Sequence, residues 1–274
     1  DKSYGFREGR NCQQAVQRAQ KYIEDGNRWV VDMDLSKFFD RVNHDILMDR
    51  VSRVIDDKAI LKLIRRYLNA GIMEDGLVSP RLEGVPQGSP LSPLLSNIML
   101  TELDRELEER GLNHVRYADD CNIYVKSEKA AQRVLTNITK YVEETLKLRV
   151  NRDKSGTFRP RDSVFLGYTF SKANCTRIIV AQKSVKRLWT KLHKIFNTAR
   201  GTSLGWAIKT ITPVLRGWRN YYRLDDRKKY WEEMDERIRH HLRKLIWIAW
   251  KKPKTRERNL SLIHISEPTR LQLI

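Results

Sequence analysis

The stretch Tyr117-Ala118-Asp119-Asp120 places two adjacent carboxylates between two apolar segments of the chain. Apolar and polar residues alternate over 114–117 and 121–125, which predicts two short strands joined by a tight acidic turn. Adjacent carboxylates repel unless a cation lies near them, and hard divalent ions such as Mg²⁺ prefer such oxygen ligands. Because Asp is also common in solvated turns, this stretch alone leaves both interpretations open.

A third carboxylate lies upstream in a similar setting. Residues 29–35 form an apolar segment in which every second side chain would face a core, as in a buried strand. Asp32 and Asp34 would then share the opposite face, so either could join the acidic turn.

The order of the elements predicts an α+β fold. Helices are expected over 44–55 and 128–146, one on each side of the acidic hairpin, with a further strand after the second helix. This β-α-β-β-α-β order is typical of an antiparallel sheet with helices on one face. In such a sheet Asp34, Asp119 and Asp120 could converge on two metal ions, an arrangement that supports in-line phosphoryl transfer.

Several segments, in this order along the chain, resemble motifs of the reverse transcriptases of group II introns and their maturase region. They are residues 3–10, 34–40, 86–97, 117–120, 148–155, 165–168, 215–222 and 246–256. The resemblance extends from about residue 3 to residue 259, and it departs from the family at Glu8, where proline is usual.

The resemblance implies a right-hand polymerase palm with a ferredoxin-like β-α-β-β-α-β sheet, followed by an all-α thumb or maturase domain. Residues 1–28 would be a remnant of the fingers, 29–170 the palm and 171–259 the thumb. Residues 260–274 resemble a translated sequencing adapter and are set aside as an artefact. Since the fingers are expected to be incomplete, the chain by itself is expected to be weakly active or inactive.

The resemblance also implies a catalytic set. Asp34, Asp119 and Asp120 would hold two Mg²⁺ ions, and the Leu35 carbonyl could add an oxygen ligand. Lys154 would meet the leaving pyrophosphate, although a solvated lysine is an equal alternative.

A second implied set binds the incoming deoxynucleoside triphosphate. The flat ring of Phe39 would exclude a ribose 2′-hydroxyl, unless Phe39 is only a core aromatic. Pro86, Gln87 and Gly88 would form a loop that contacts the nucleotide, and Arg7 and Arg10 would contact its triphosphate. Leu35 belongs to the same set.

The positive charge belongs to the C-terminal part of the chain. The 274 residues carry a net charge of +19, and residues 177–259 contain 23 Lys and Arg against seven Asp and Glu, a net of +16. Aromatic residues interleaved with this charge are typical of RNA binding, although each could instead belong to a helix core. The residues expected to bind RNA are Arg216, Trp218, Arg219, Tyr221, Lys251 and Lys252.

These observations predict an RNA-directed DNA polymerase that also acts as a maturase in intron splicing and mobility. Its partners would be group II intron RNA, an RNA template with a DNA primer, and deoxynucleoside triphosphates, with no membrane. Three cysteines without pairing or metal-binding spacing predict a reducing compartment. The resemblance implies the bacterial cytoplasm, in association with the nucleoid or with ribonucleoprotein. The alternatives are a retron or diversity-generating reverse transcriptase, or a non-catalytic RNA-binding splicing factor.

Overall fold

The chain folds into two compact units, Asp1–Arg177 and Ile178–Ile274. The computed structural model describes residues 2–36, 38–70, 72–74, 77–79, 83–85, 89–173 and 176–250, together with Lys254 and Glu257. No described helix combines the length and apolarity that crossing a lipid bilayer requires.

The first unit is an α+β structure. Its helices are α1 (Cys12–Glu24), α2 (Phe38–Arg41), α3 (His44–Ser52), α4 (Lys58–Asn69), α5 (Leu91–Glu109) and α6 (Glu128–Glu144). Its strands are β1 (Trp29–Met33), β2 (Ile72–Glu74), β3 (Leu77–Ser79), β4 (Asn113–Tyr117), β5 (Asp120–Val125), β6 (Gly156–Phe158) and β7 (Tyr168–Phe170). The strand order β4-β5-β1-β6, antiparallel throughout, confirms the predicted palm-like sheet.

The sheet has one strongly apolar face. Val31 and Met33 of β1 and Ile123 of β5 are fully buried, and they share a core with residues of α3 to α6. The opposite face is partly covered by α1, whose Tyr22 ring lies 5.7 Å from that of Tyr124. Since side chains alternate along a strand, the residues between these apolar positions face the α1 side, where they can be polar.

The second unit is helical apart from one short strand in its described part. It consists of β8 (Ile178–Val180), α7 (Gln182–Ala199), α8 (Leu204–Tyr221) and α9 (Lys228–Ala249). Each helix contributes apolar side chains to the interior, among them Leu192, Ile211 and Ile238. The amphipathic spacing leaves most of the Lys and Arg residues in its described part on the outer faces.

A buried carboxylate fixes the connection between α8 and α9. Asp225 is completely buried, and its Oδ2 accepts hydrogen bonds from the Val180 amide at 2.9 Å and from Arg227 Nη2 at 2.5 Å. The Asp225 carbonyl accepts a third bond, from Trp231 Nε1 at 2.9 Å. This one residue therefore joins β8, the connection and the start of α9.

Replacing Asp225 by Ala should lower the free energy of unfolding of the second unit by about 3 kcal/mol, because it leaves a half-buried guanidinium and a buried amide without their acceptor. Six of the seven tryptophans lie beyond residue 177, so that tryptophan fluorescence during urea unfolding follows this unit. Glu233→Ala, which removes an equal charge from an exposed position of α9, is the control. Equal stability of the two variants would contradict the role given to Asp225.

Candidate active site at the acidic end of the sheet

The acidic stretch forms a tight hairpin turn, as its sequence pattern predicts. Tyr117 and Asp120 are the last paired residues of β4 and β5, which leaves Ala118 and Asp119 as the two turn residues. Ala118 has a φ of +59°, a left-handed conformation that costs a non-glycine residue roughly 1–2 kcal/mol. A positive φ at the first turn position alone is the pattern of a type II′ turn, which usually takes glycine there.

The register of the sheet brings the upstream aspartate to this turn. Met33 pairs with Cys121 at the end of β1, and the same register continued by one residue sets Asp34 opposite Asp120. Asp32 pairs with Asn122 and lies on the same face. Asp34, Asp119 and Asp120 therefore lie at the same end of the sheet, as the sequence predicts. Asp32, the alternative to Asp34, lies there as well.

Asp34 is anchored by a segment that follows α6. Asn151 Nδ2 donates to Asp34 Oδ2 at 3.0 Å, and the Asn151 amide donates to the Asp34 carbonyl at 2.8 Å. The Asp34 amide donates to Ser155 Oγ at 3.0 Å. The sequence did not predict that Asn151 and Ser155 bond Asp34. The only indication was that both residues lie in the segment 148–155, which also contains Lys154.

Lys154 also reaches Asp34. Its Nζ lies 3.6 Å from Asp34 Oδ2, while 70% of the Lys154 side chain is exposed. The lysine is thus held only loosely, and its ammonium group is close enough to the carboxylates to pair with an anion brought to them.

Burial and the proximity of other carboxylates raise the pKa values of these aspartates. Burial, reinforced by the charges of Asp119 and Asp34, raises the pKa of Asp120 to about 6. Burial, with the charges of Asp120 and Asp34, raises the pKa of Asp32 to about 7. Burial, with Asp34, also raises the pKa of Asp119, against the opposing effects of Lys154 and Arg116.

The donor set fits a hard divalent cation, since carboxylate oxygens are the ligands such ions prefer. Among the described residues, no three acidic, histidine or cysteine side chains are already grouped closely enough to hold a metal ion. One oxygen of Asp34 is instead engaged by Asn151 and Lys154. A cation placed between the carboxylates would stabilise their charged forms against the burial and the mutual repulsion that raise their pKa values.

Among the residues expected to bind the nucleotide, Leu35 directly follows Asp34 in the chain, and the others that the structure describes differ in their surroundings. Leu35 is 5% exposed. Phe39 on α2 is half-buried, with its ring 5.3 Å from that of Phe38. Arg7 is exposed, whereas the Arg10 guanidinium lies 5.1 Å from the centre of the Tyr4 ring. Pro86, Gln87 and Gly88 lie outside the described residues.

The segment that leads to the expected nucleotide loop packs tightly against α2. Gly84 has a φ of +87°, and a Cβ there would come within 2.7 Å of the Asp40 backbone. The Gly84 carbonyl lies 2.6 Å from His44 Nε2, and the Val85 amide donates to the Phe39 carbonyl at 2.6 Å. Gly84 and Val85 are thereby attached to the helix that carries Phe39.

Gly84→Ala should lower the free energy of unfolding by roughly 3 kcal/mol, because it adds backbone strain and a clash with neighbouring main chain. Gly26→Ala is a matched control, since Gly26 has a φ of +93° but nothing within 4 Å of an added Cβ. Thermal unfolding followed by circular dichroism should show a clearly larger loss for Gly84→Ala. Equal losses would mean that the close approach to α2 contributes nothing.

The residues expected to bind RNA occupy different environments in the second unit. Arg216 and Tyr221 are exposed on α8. The Trp218 ring lies 4.7 Å from that of Tyr222, and the Arg219 guanidinium lies 4.6 Å from the centre of the Trp231 ring. The Tyr221 ring also lies 4.8 Å from that of Tyr222, so that three of the six expected residues pack within the unit. Lys251 and Lys252 lie outside the described residues.

Comparison with known protein families assigns both parts of the chain. Residues 1–170 match the family described as reverse transcriptase (RNA-dependent DNA polymerase). Residues 185–262 match the maturase-specific domain of group II introns.

Individual proteins agree with this assignment. The chain is 35% identical over 205 residues to protein YkfC of Escherichia coli (strain K12), a match that covers 61% of this chain and 54% of YkfC. It is 38% identical over 105 residues to the group II intron-encoded protein LtrA of Lactococcus lactis subsp. cremoris, which covers 38% of this chain and 17% of LtrA. Apo telomerase from Candida tropicalis, truncated from its C-terminal domain, aligns with a TM-score of 0.52 at 15% identity over 66% of this chain and 41% of that chain, a likeness of fold alone.

The chain spans about half the length of YkfC and a smaller part of LtrA. Its first unit has the antiparallel sheet, the acidic hairpin and the aligned upstream aspartate, and the family match covers that unit almost completely. The chain therefore belongs to the reverse transcriptase family, and its C-terminal region is a maturase-specific domain of the kind found in group II intron proteins.

Proposed function

We propose that the chain is part of a group II intron protein that synthesises DNA on an RNA template and assists splicing and mobility of its intron. The observation that carries this proposal is the register of β1 and β5, which ends with Met33 opposite Cys121 and so brings Asp34 close enough for its charge to act on Asp119 and Asp120. The maturase-specific match of the C-terminal region favours an intron protein over a retron or diversity-generating enzyme.

Asp34, Asp119 and Asp120, with the Leu35 carbonyl, would hold two Mg²⁺ ions. Such ions, when bound, activate the attacking oxygen and stabilise the leaving group of an in-line displacement. The carboxylates supply the negative charge that attracts these ions, and the anchoring of Asp34 by Asn151 and Ser155 limits the reorganisation that binding requires. Lys154, whose Nζ lies 3.6 Å from Asp34 Oδ2, would pair with the pyrophosphate oxygens.

The remaining residues of the first unit would select and orient the nucleotide. Phe39, half-buried on α2, would bound the space beside the sugar, and Pro86, Gln87 and Gly88 would contact the incoming nucleotide. Arg7 would pair with the triphosphate from the exposed N-terminal segment, and Arg10, now over Tyr4, would contribute the second positive charge.

The second unit would hold RNA. The net charge of +16 over residues 177–259 fits a surface that replaces counterions on phosphates. The proposed partners are intron RNA, a primed RNA template and deoxynucleoside triphosphates, and the proposed location is the bacterial cytoplasm in association with nucleic acid.

A non-catalytic splicing factor is the main alternative of a different class. It predicts intron RNA binding and splicing without any primer extension. Both activities should be measured with Mg²⁺ for the chain itself and for a version extended at both ends with the sequence of its relatives. Splicing without extension in both proteins would favour the alternative, whereas extension by the longer protein supports the proposal.

A further inference from the structure

We infer that Arg116 is a positioning residue of the proposed polymerase site: its buried guanidinium holds the carbonyl of Ala118 and thereby fixes the turn that carries Asp119. This inference rests on the proposed function. It concerns a residue that precedes the acidic motif and has no oxygen ligand to offer a metal.

The Arg116 side chain is 1% exposed, and two of its nitrogens donate hydrogen bonds to Asp104. Nε donates to Asp104 Oδ1 at 2.8 Å and Nη2 donates to Asp104 Oδ2 at 2.6 Å, which is the bidentate geometry that orients a guanidinium plane. Since Asp104 is on α5, the direction of the arginine is set by a helix of the core and not by the hairpin itself.

The remaining nitrogen of the guanidinium faces the turn. Nη1 donates to the Ala118 carbonyl at 2.8 Å and to Asn97 Oδ1 at 3.1 Å. Ala118 is the turn residue with positive φ, a conformation that persists only where its surroundings impose it. The hydrogen bond to its carbonyl acts on the peptide group that leads directly into Asp119, so that it fixes the point from which the Asp119 side chain departs.

A second contact holds the same turn from another direction. The chain at Gly5 passes so close to the turn that a Cβ on Gly5 would lie 2.3 Å from the Ala118 amide nitrogen. Asn97 links the two contacts, because its Nδ2 donates to the Gly5 carbonyl at 3.0 Å while its Oδ1 accepts from Arg116. The turn is thus confined between the N-terminal segment and the arginine.

A purely structural role makes a different prediction from a positioning role. A buried ion pair such as Arg116–Asp104 can be replaced by apolar residues of similar size with little loss of stability, or with a gain. The bond to the Ala118 carbonyl has no such substitute. Removing both charges together therefore distinguishes the two roles. The protein should still fold, but the turn that carries Asp119 should no longer be held in place.

The test uses the chain as it is, with Mn²⁺ as the metal probe and electron paramagnetic resonance to count free ions. The double variant Arg116→Met with Asp104→Leu should keep a cooperative thermal transition near that of the parent. Its Mn²⁺ affinity should fall about tenfold, because the turn is no longer held. In the extended protein, kcat for primer extension should fall while KM for the primed template stays the same.

Asp119→Asn, measured in parallel, separates this inference from the proposed function. If Asp119→Asn also leaves Mn²⁺ affinity unchanged, the proposed metal site is wrong. If Asp119→Asn weakens Mn²⁺ binding and the folded double variant binds Mn²⁺ as the parent does, only the positioning role of Arg116 is overturned.

Gly5→Ala gives an independent measurement should the double variant fail to fold. The added methyl must displace the turn, so that Mn²⁺ affinity should again fall, whereas Gly201→Ala, whose nearest atom would be at 3.9 Å, should leave it unchanged. A Gly5→Ala protein that folds and binds Mn²⁺ with the parent affinity would contradict the inference.

Discussion

Asp119→Asn is expected to reduce RNA-templated primer extension by about a thousandfold or more, while the affinity for RNA changes little. Asparagine keeps the shape of the side chain but removes a charge that the metal ions require. Metal-centred stabilisation acts on charge that develops in the transition state and contributes several kcal/mol, and each 1.36 kcal/mol is tenfold in rate. The loss should therefore appear in kcat and hardly in binding.

Primer extension should be measured in a version of the chain extended at both ends, with RNA affinity measured on the same preparations. Asp162→Asn, an exposed aspartate of the same unit outside the acidic end of the sheet, is the matched control. Extension by Asp119→Asn at the rate of the parent would show that Asp119 is not a metal ligand. Strong extension by residues 1–259 alone would contradict the expectation that the chain is weak or inactive by itself.

Affinity for structured RNA should fall steeply with salt, by about a thousandfold between 50 and 200 mM if six or more phosphates are contacted. The physical reason is the release of counterions from each phosphate that a Lys or Arg of residues 177–259 neutralises. Filter binding of the full chain to an intron RNA domain over a salt series gives the slope. A flat response would exclude the basic residues as the contact surface.

Individual arginines should divide into two classes in this experiment. Replacing Arg216, which is exposed, together with Lys251 by Gln should reduce the slope by about two, since each phosphate contact contributes about one. Arg219→Gln should instead lower thermal stability, because its guanidinium packs over Trp231. A control pair of equal charge, Lys62→Gln with Lys129→Gln on the exposed surface of the first unit, should leave the slope unchanged.

The fold and the acidic turn could be predicted from sequence because they depend on local patterns. Alternation around Asp119 specifies two strands, and the order of helices and strands specifies which strands become neighbours. The approach of Asp34 to the acidic turn follows once the two strands pair, because Met33 lies opposite Cys121. These features require no knowledge of individual side-chain contacts.

The supports of the site could not be predicted in the same way. Asn151 bonds Asp34 across 117 residues of sequence, and no local pattern marks an asparagine as such a partner. Arg116 reads as a polar residue in an alternating strand, yet it is buried because Asp104 on another element compensates its charge. Trp218, expected at an RNA surface, packs against Tyr222 because tertiary packing decides which aromatic residues of a basic helix face inward.

The anchoring of Asp34 also has a consequence for the newly made protein. Asp34 precedes its partners Asn151 and Ser155 by 117 and 121 residues, which a ribosome adds in roughly 6–24 s at about 5–20 residues per second. β1 can pair with β5 only late in that interval, because β5 ends at Val125, just 26 residues before Asn151. A nascent chain should therefore bring Asp34 beside the acidic turn only about 1–6 s before the segment that anchors it is added, so that the whole candidate metal site is completed within one short stretch of synthesis.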